Sequence, residues 1–253
     1  MTLRVNKPSF NLRQKLSELA SKFGLKGREL MESATTQDVR NLVSAGRKNM
    51  VINGDMRVFQ RNNSGNVVSG DGSKYYLDRW MVRNSSTATV NVTQQNSSAG
   101  PPGFRSWMLV ECDGADASPA VSAYTRIQQY IEGYNCFMDW GYGNTDTITI
   151  SFWVKSTTTG IYTFGVEDGD ASPLYIQEYT IDKPNVWEKK VLRVPPPTAG
   201  TWRGADAGIG ARLTWTLMAG SSQTTTPNTW ALSYGMSTGN QVNLMADANN
   251  NFY

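Results

Sequence analysis

From Met50 onward the apolar residues stop recurring at helical spacing and begin to alternate with polar ones, and this switch confines most of the chain to β-structure. The clearest case is DTITISFWVKS. It sets Ile148, Ile150, Phe152 and Val154 on one face and Thr147, Thr149, Ser151, Trp153 and Lys155 on the other. TRIQQYIE divides in the same way, with Ile127, Gln129 and Ile131 opposed to Arg126, Gln128 and Tyr130. TATVNV sets Ala88, Val90 and Val92 on one face, SWMLVEC alternates around Met108, Val110 and Cys112, and GIGARLTWTLMAG sets Ile209, Ala211, Leu213, Trp215 and Leu217 together. Between these runs lie clusters such as SSAGPPG, DGADASP, EDGDASP and PPPTAG, whose residues supply turns. Eight or more strands, with no helix pattern long enough for a parallel crossover, predict a mainly β fold: an antiparallel jelly-roll β-sandwich.

The first 48 residues differ. FNLRQKLSELASKF places Leu12, Leu16, Leu19, Ala20 and Phe23 at helical spacing, with Ser9 as N-cap and Gly24 as stop. ATTQDVRNLVSAG offers a second short helix with Val39, Leu42 and Val43 on its buried side. Helices this short need a packing partner. The expected organisation is therefore an α-helical docking arm over 1–48 and a sandwich over 49–253. Residues 1–50 carry ten basic and four acidic side chains, whereas the remainder carries fourteen and seventeen. A basic arm on a mildly acidic body suits attachment to an acidic surface. No aromatic residues interleave the basic ones, as a nucleic-acid stacking surface would need, so no nucleic-acid partner is expected.

The chain contains no histidine, which removes Ser-His-Asp and Cys-His catalysis and every His-ligated metal site. Its two cysteines, Cys112 and Cys136, form no metal-binding spacing and are expected to be plain thiols. No apolar run is long enough to span a bilayer and no signal-peptide h-region opens the chain, so membrane insertion is not expected. No nucleotide-binding motif occurs, and no cofactor is expected.

Three groups of residues carry candidate chemistry. Asp113 and Asp116, with Asp168 and Asp170, sit in two similar Asp-rich turns and can offer oxygen ligands to Ca²⁺, although hairpin turns use the same residues and neither turn has EF-hand spacing. These carboxylates, with Glu111, Glu132 and Asp139, also offer material for a glycosidase acid and base pair, but no motif singles one out. Trp140, Tyr142, Trp153 and Trp202 lie in or beside turns or on a strand's outward face, where flat rings can stack on sugars. Trp80, Trp107, Trp187, Trp215 and Trp230 are expected to fill the core or a subunit seam.

NMVINGDMRVFQR at 49–61, followed by YYLDRW at 75–80, resembles the module that opens many bacteriophage tail-fibre and related virion proteins. The resemblance continues through TRIQQYIEG, DTITISFWVKS, GIGARLTWTLMAG and NQVNL. Upstream, GRELMESATTQDVRNLV resembles the helical linker before such modules, with Gly27, Leu30, Met31, Arg40 and Val43 in matching positions. The resemblance implies a carbohydrate-binding-module-like jelly roll, usually homotrimeric and carried on a virion. It implies that Asn53, Gly54, Asp55, Arg57, Gln60, Arg61, Asp78, Arg79 and Trp80 act as fold determinants. It also implies one further apolar strand after Tyr253.

The expected function is a tail-fibre or appendage protein that docks on other virion proteins through Leu12, Leu16, Leu19, Phe23, Val39 and Leu42 and presents the jelly roll to host-surface glycan. The alternatives are a capsid decoration protein and a polysaccharide depolymerase.

Overall fold

The computed structural model describes residues 12–22, 27, 32, 49–60, 66–68, 72–136, 147–170, 172–198, 200, 202 and 207–253. The chain divides into two compact units, Met1–Asn49 and Met50–Tyr253. In the first, α1 spans Leu12–Lys22 and carries Leu12, Leu16 and Leu19. Its exposed side is tied by Lys15 to Glu18 at 3.0 Å and by the Ser21 hydroxyl donating to the Glu18 carbonyl. Phe23, Val39 and Leu42, expected to complete the docking surface, lie outside the described residues.

The second unit is built from antiparallel strands. One sheet has the order β12(Trp230–Ala231), β9(Leu174–Ile181), β8(Gly160–Asp168), β11(Ile209–Ala219), β6(Tyr124–Glu132), β3(Trp80–Asn84), β2(Gly72–Leu77). A second has the order β1(Asn66–Val68), β4(Thr89–Asn96), β5(Ser106–Gly114), β13(Asn251–Phe252). A third pairs β10(Glu188–Val194) with β7(Ile148–Val154). Just past β7, the Lys155 and Tyr253 backbones exchange hydrogen bonds and Ser156 bridges to Phe252, so β13 joins the β7–β10 ribbon to β5.

The period-2 pattern sets the inward faces. Ile148, Ile150 and Phe152 of β7 pack on the core while Thr149 and Ser151 are exposed. Phe152 meets Trp215 at 5.7 Å, Tyr179 at 5.2 Å and Phe164 at 6.0 Å, linking the ribbon to the seven-stranded sheet through edge-on and tilted ring contacts. Tyr162 meets Phe252 at 5.5 Å and Trp80 meets Trp215 at 5.4 Å.

Alternation does not by itself mark the solvent face. The polar face of β6 and β11 is buried: Arg126 is 3% exposed, and Gln128, Thr214 and Thr216 are fully covered. The chain after β11 returns across that face. Thr216 of β11 and Thr163 of β8 donate to the Met236 carbonyl at 2.6 and 3.3 Å, and Gln241 accepts from the Thr163 hydroxyl and donates to the Thr216 carbonyl. These hydrogen bonds satisfy polar groups that burial would otherwise penalise.

The quoted signature forms an interlock at the sandwich edge. Asn53, in the left-handed region at φ 54°, donates from Nδ2 to the Val58 and Asp78 carbonyls and accepts the Val58 N–H on Oδ1. Its carbonyl receives Trp80 Nε1 at 2.9 Å, and Asp78 accepts the Gln60 N–H at 2.7 Å. Gln129 clasps the Ile52 backbone from both sides.

Candidate functional site

At one end of the seven-stranded sheet, Tyr75 from β2, Arg79 from the β2–β3 turn, and Tyr130 and Glu132 from β6 border a cleft of about 210 Å³, which Ala207, Gly208 and Ile209 also line. Its base requires a close backbone approach. Gly133 donates to the Gly208 carbonyl at 2.8 Å, and a Cβ on Gly210 would lie 2.6 Å from the Gly133 Cα, so glycine is needed there.

Arg79 adopts φ 73°, a conformation an L residue occupies at some cost and which cleft and switch residues retain when the surroundings enforce it. From there its guanidinium donates to the Glu132 carboxylate and, at 3.4 Å, to the Tyr130 carbonyl. Asn135 donates to the other Glu132 oxygen at 3.2 Å. Desolvation would raise the Glu132 pKa, but the hydrogen bond from Arg79, backed by Asn135 and the Arg79 charge, outweighs it and holds the carboxyl below its ordinary range. Both members of the pair are more than a third exposed, so their unused donors and acceptors remain open to a ligand.

Behind the cleft, Arg212 lies over the Tyr130 ring at 5.8 Å, donates to the Gly169 carbonyl and faces Glu167 at 3.8 Å. Glu167, 1% exposed, also faces Arg126 at 3.7 Å and accepts the Thr214 hydroxyl. This chain occupies the buried part of the same face of β6 and β11, and Tyr130 stands beside it where the face opens to the cleft.

The cleft can bind a small polar molecule. Two phenol rings offer apolar walls, and an ionised Arg–Glu pair offers donors beside acceptors, the combination that orients ligands in small sites. A glycosidase needs a second carboxylate and a protonated acid. Among the described residues lining this cleft Glu132 is the sole carboxylate, and it is held ionised.

The residues predicted from sequence fall elsewhere. Trp202 is 4% exposed and packs edge-on to Trp230 at 5.9 Å, which corrects the expectation of a flat exposed ring: it is a core residue. Trp153 is half-buried and stands on the outward face of β7. Trp140 and Tyr142 lie outside the described residues, on the segment that follows Cys136. Of the five tryptophans assigned to the interior, Trp80, Trp107, Trp215 and Trp230 are buried. Trp187 is partly exposed, donating to the Ala99 carbonyl and meeting Trp107 edge-on at 5.9 Å.

The two Asp-rich turns belong to different sheets, one at the end of β5 and the other at the end of β8. Asp116 is buried and braces a turn, accepting the Thr87 N–H at 3.1 Å. Among the described residues no group of three or more His, Cys, Asp and Glu side chains gathers as a metal site.

Sequence reasoning missed Tyr75 and Tyr130 as cleft residues, weighed Arg79 as a fold determinant only, and named Glu132 only among carboxylates with no motif. The available signal was that Tyr75 and Arg79 share the YYLDRW stretch.

No protein-family model matches the sequence, and no curated protein matches it significantly. Among solved structures the chain is similar to the enzymatically active domain of bacteriophage CBA120 tailspike protein 4, at 15% identity and a TM-score of 0.40 over 81% of this chain and 20% of that one. It is also similar to TmCBM61 in complex with β-1,4-galactotriose, at 12% identity and a TM-score of 0.35 over 78% and 92% of the two chains. The chain thus spans about a fifth of the tailspike domain. Among the described residues no helix is long and apolar enough to cross a membrane.

Proposed function

We propose that this chain is a structural appendage protein of a tailed-phage particle whose jelly-roll body binds host-surface glycan in the Tyr75–Arg79–Tyr130–Glu132 cleft. The observation that carries the binding role is the cleft itself, with its paired phenols and ionised Arg79–Glu132. The virion assignment rests on the signature at 49–61 and 75–80; its residues Asn53, Asp78 and Trp80 interlock as fold determinants. Residues 1–48 then serve as the docking arm to tail or baseplate, and three copies of the body offset weak single sites by avidity.

The decisive variant is Glu132→Gln, which preserves the cleft's shape and removes the carboxylate charge while leaving that of Arg79. Its expected phenotype is a melting temperature close to the parent's with glycan affinity and particle adsorption reduced about tenfold, the order of one charge-assisted hydrogen bond. Unchanged adsorption removes the cleft from the function. Gold labelling of intact particles with an antibody to residues 49–253 tests the location: label on tails supports the appendage reading, and label across heads replaces it with capsid decoration.

A further inference from the structure

The β7–β10 ribbon has an outward face that the cleft reading leaves unused. Alternation places Thr149, Ser151 and Trp153 on that face of β7, with Lys155 two residues beyond Trp153, about 6.6 Å along the strand. On β10 the same face carries Lys189, Val191 and Arg193. Register sets Lys189 opposite Trp153, Val191 opposite Ser151 and Arg193 opposite Thr149.

On β7, β10 and Lys155 this face holds three cations and no acid, and the acid of the adjoining β5, Glu111, acts on Tyr253 beside Lys155 and not on Lys189 or Arg193. Lys190, which points the other way, is already neutralised by Glu188 at 2.6 Å and Asp182 at 3.5 Å. Among the described residues Lys189 and Arg193 have no carboxylate within ion-pair distance, and Trp153 has neither a ring contact nor a hydrogen-bond partner. Lys155 is held in place, its ammonium 3.8 Å from the Tyr253 ring centroid and 5.1 Å from that of Trp187. Val191, 57% exposed, adds an apolar patch between Lys189 and Arg193.

The geometry points to a second binding surface here, taking a carboxylated polysaccharide: pyranose rings pack on the Trp153 indole while their carboxylates meet Lys189, Arg193 and Lys155. Charge complementarity selects the class, because uncompensated cations around one aromatic face favour a polyanion over a neutral sugar. One indole gives a single stacking station, short of the row of rings that a single-stranded nucleic acid follows. The surface lies on β7 and β10 and shares no residue with the cleft, so it stands or falls independently of the proposal above.

Affinity electrophoresis of the full chain through polygalacturonate, and through the same polymer fully methyl-esterified, tests the idea with one backbone in two charge states. The expected result is binding at least tenfold tighter to the acid polymer, weakening severalfold between 50 and 200 mM salt as screening demands. Lys189→Ala with Arg193→Ala, both at exposed positions, should weaken it about tenfold without moving the melting temperature, and so should Trp153→Phe to a smaller degree. Glu132→Gln should leave it unchanged. Equal affinity for acid and ester, or no binding to either, overturns the proposal. So does a double variant that binds normally and self-associates, since Lys189 and Arg193 would then only guard the β10 edge. Tighter binding of an oligothymidylate would assign the surface to nucleic acid instead.

Discussion

Replacing Asn53 by alanine tests whether the NGDMRVFQR signature specifies the fold. The side chain makes three hydrogen bonds: Nδ2 to the Val58 carbonyl at 2.9 Å, Nδ2 to the Asp78 carbonyl at 3.0 Å, and Oδ1 from the Val58 N–H at 2.9 Å. The two bonds to Val58 are exposed and contribute about 0.5 kcal/mol each, and the half-buried bond to Asp78 about 1 kcal/mol. At φ 54° the residue also occupies the left-handed region, where alanine pays about 1 kcal/mol more than asparagine. The sum is about 3 kcal/mol, which for a body of this size lowers the melting temperature by roughly 6–12 °C.

Asn53→Gly separates the two causes. Glycine accepts the backbone angle and loses the hydrogen bonds, so it should fall between alanine and the parent, about 2 kcal/mol down. Thermal unfolding followed by circular dichroism reads both. If neither variant moves the transition by more than about 2 °C, the interlock does not hold the fold. If glycine restores the parent's stability, the backbone angle alone matters and the three hydrogen bonds carry nothing.

Other outcomes follow from the same geometry. Trp202→Ala should destabilise by about 3–5 kcal/mol, the cost of removing a buried indole, and any lost adsorption should track unfolding; an unshifted melting temperature would contradict its packing against Trp230. Burial, with Asp113 and Asp247 nearby, pushes the Cys112 thiol up to about 11, so Ellman's reagent at pH 8 should titrate Cys136 in the native protein and both cysteines only in denaturant. Glu132 has a depressed pKa, so its contribution to stability and binding is complete above the ordinary carboxylate value of 4.5 and disappears as pH falls through the folded-state value. In Glu132→Gln that acid limb should vanish from a pH titration of glycan binding, and its persistence would assign the limb to another group.

The mainly β, antiparallel character of residues after Met50 was legible in the chain, because a two-residue period can bury one face only as a strand. The pattern therefore located β7, with Ile148, Ile150 and Phe152 inward, and most of the core tryptophans. The absence of histidine and of metal-binding spacings was equally local information, and it narrowed the chemistry without reference to the fold. Tertiary structure decided what covers each polar face. Arg126, Gln128, Thr214 and Thr216 look in sequence like a solvated stripe, yet all four are buried: the segment carrying Met236 and Gln241 meets Thr216, Gln128 bonds to Thr214, and Arg126 and Thr214 face Glu167. Polar residues facing water and polar residues facing a hydrogen-bonding return strand have the same alternation, so the pattern cannot separate them. The cleft was beyond reach for a related reason. Tyr75 and Arg79 stand some fifty residues from Tyr130 and Glu132, and only the β2–β3–β6 pairing sets them around one concavity. Trp202 was misplaced because a turn-rich neighbourhood predicts exposure of the chain, while the burial of a ring depends on the Trp230 side chain waiting beside it.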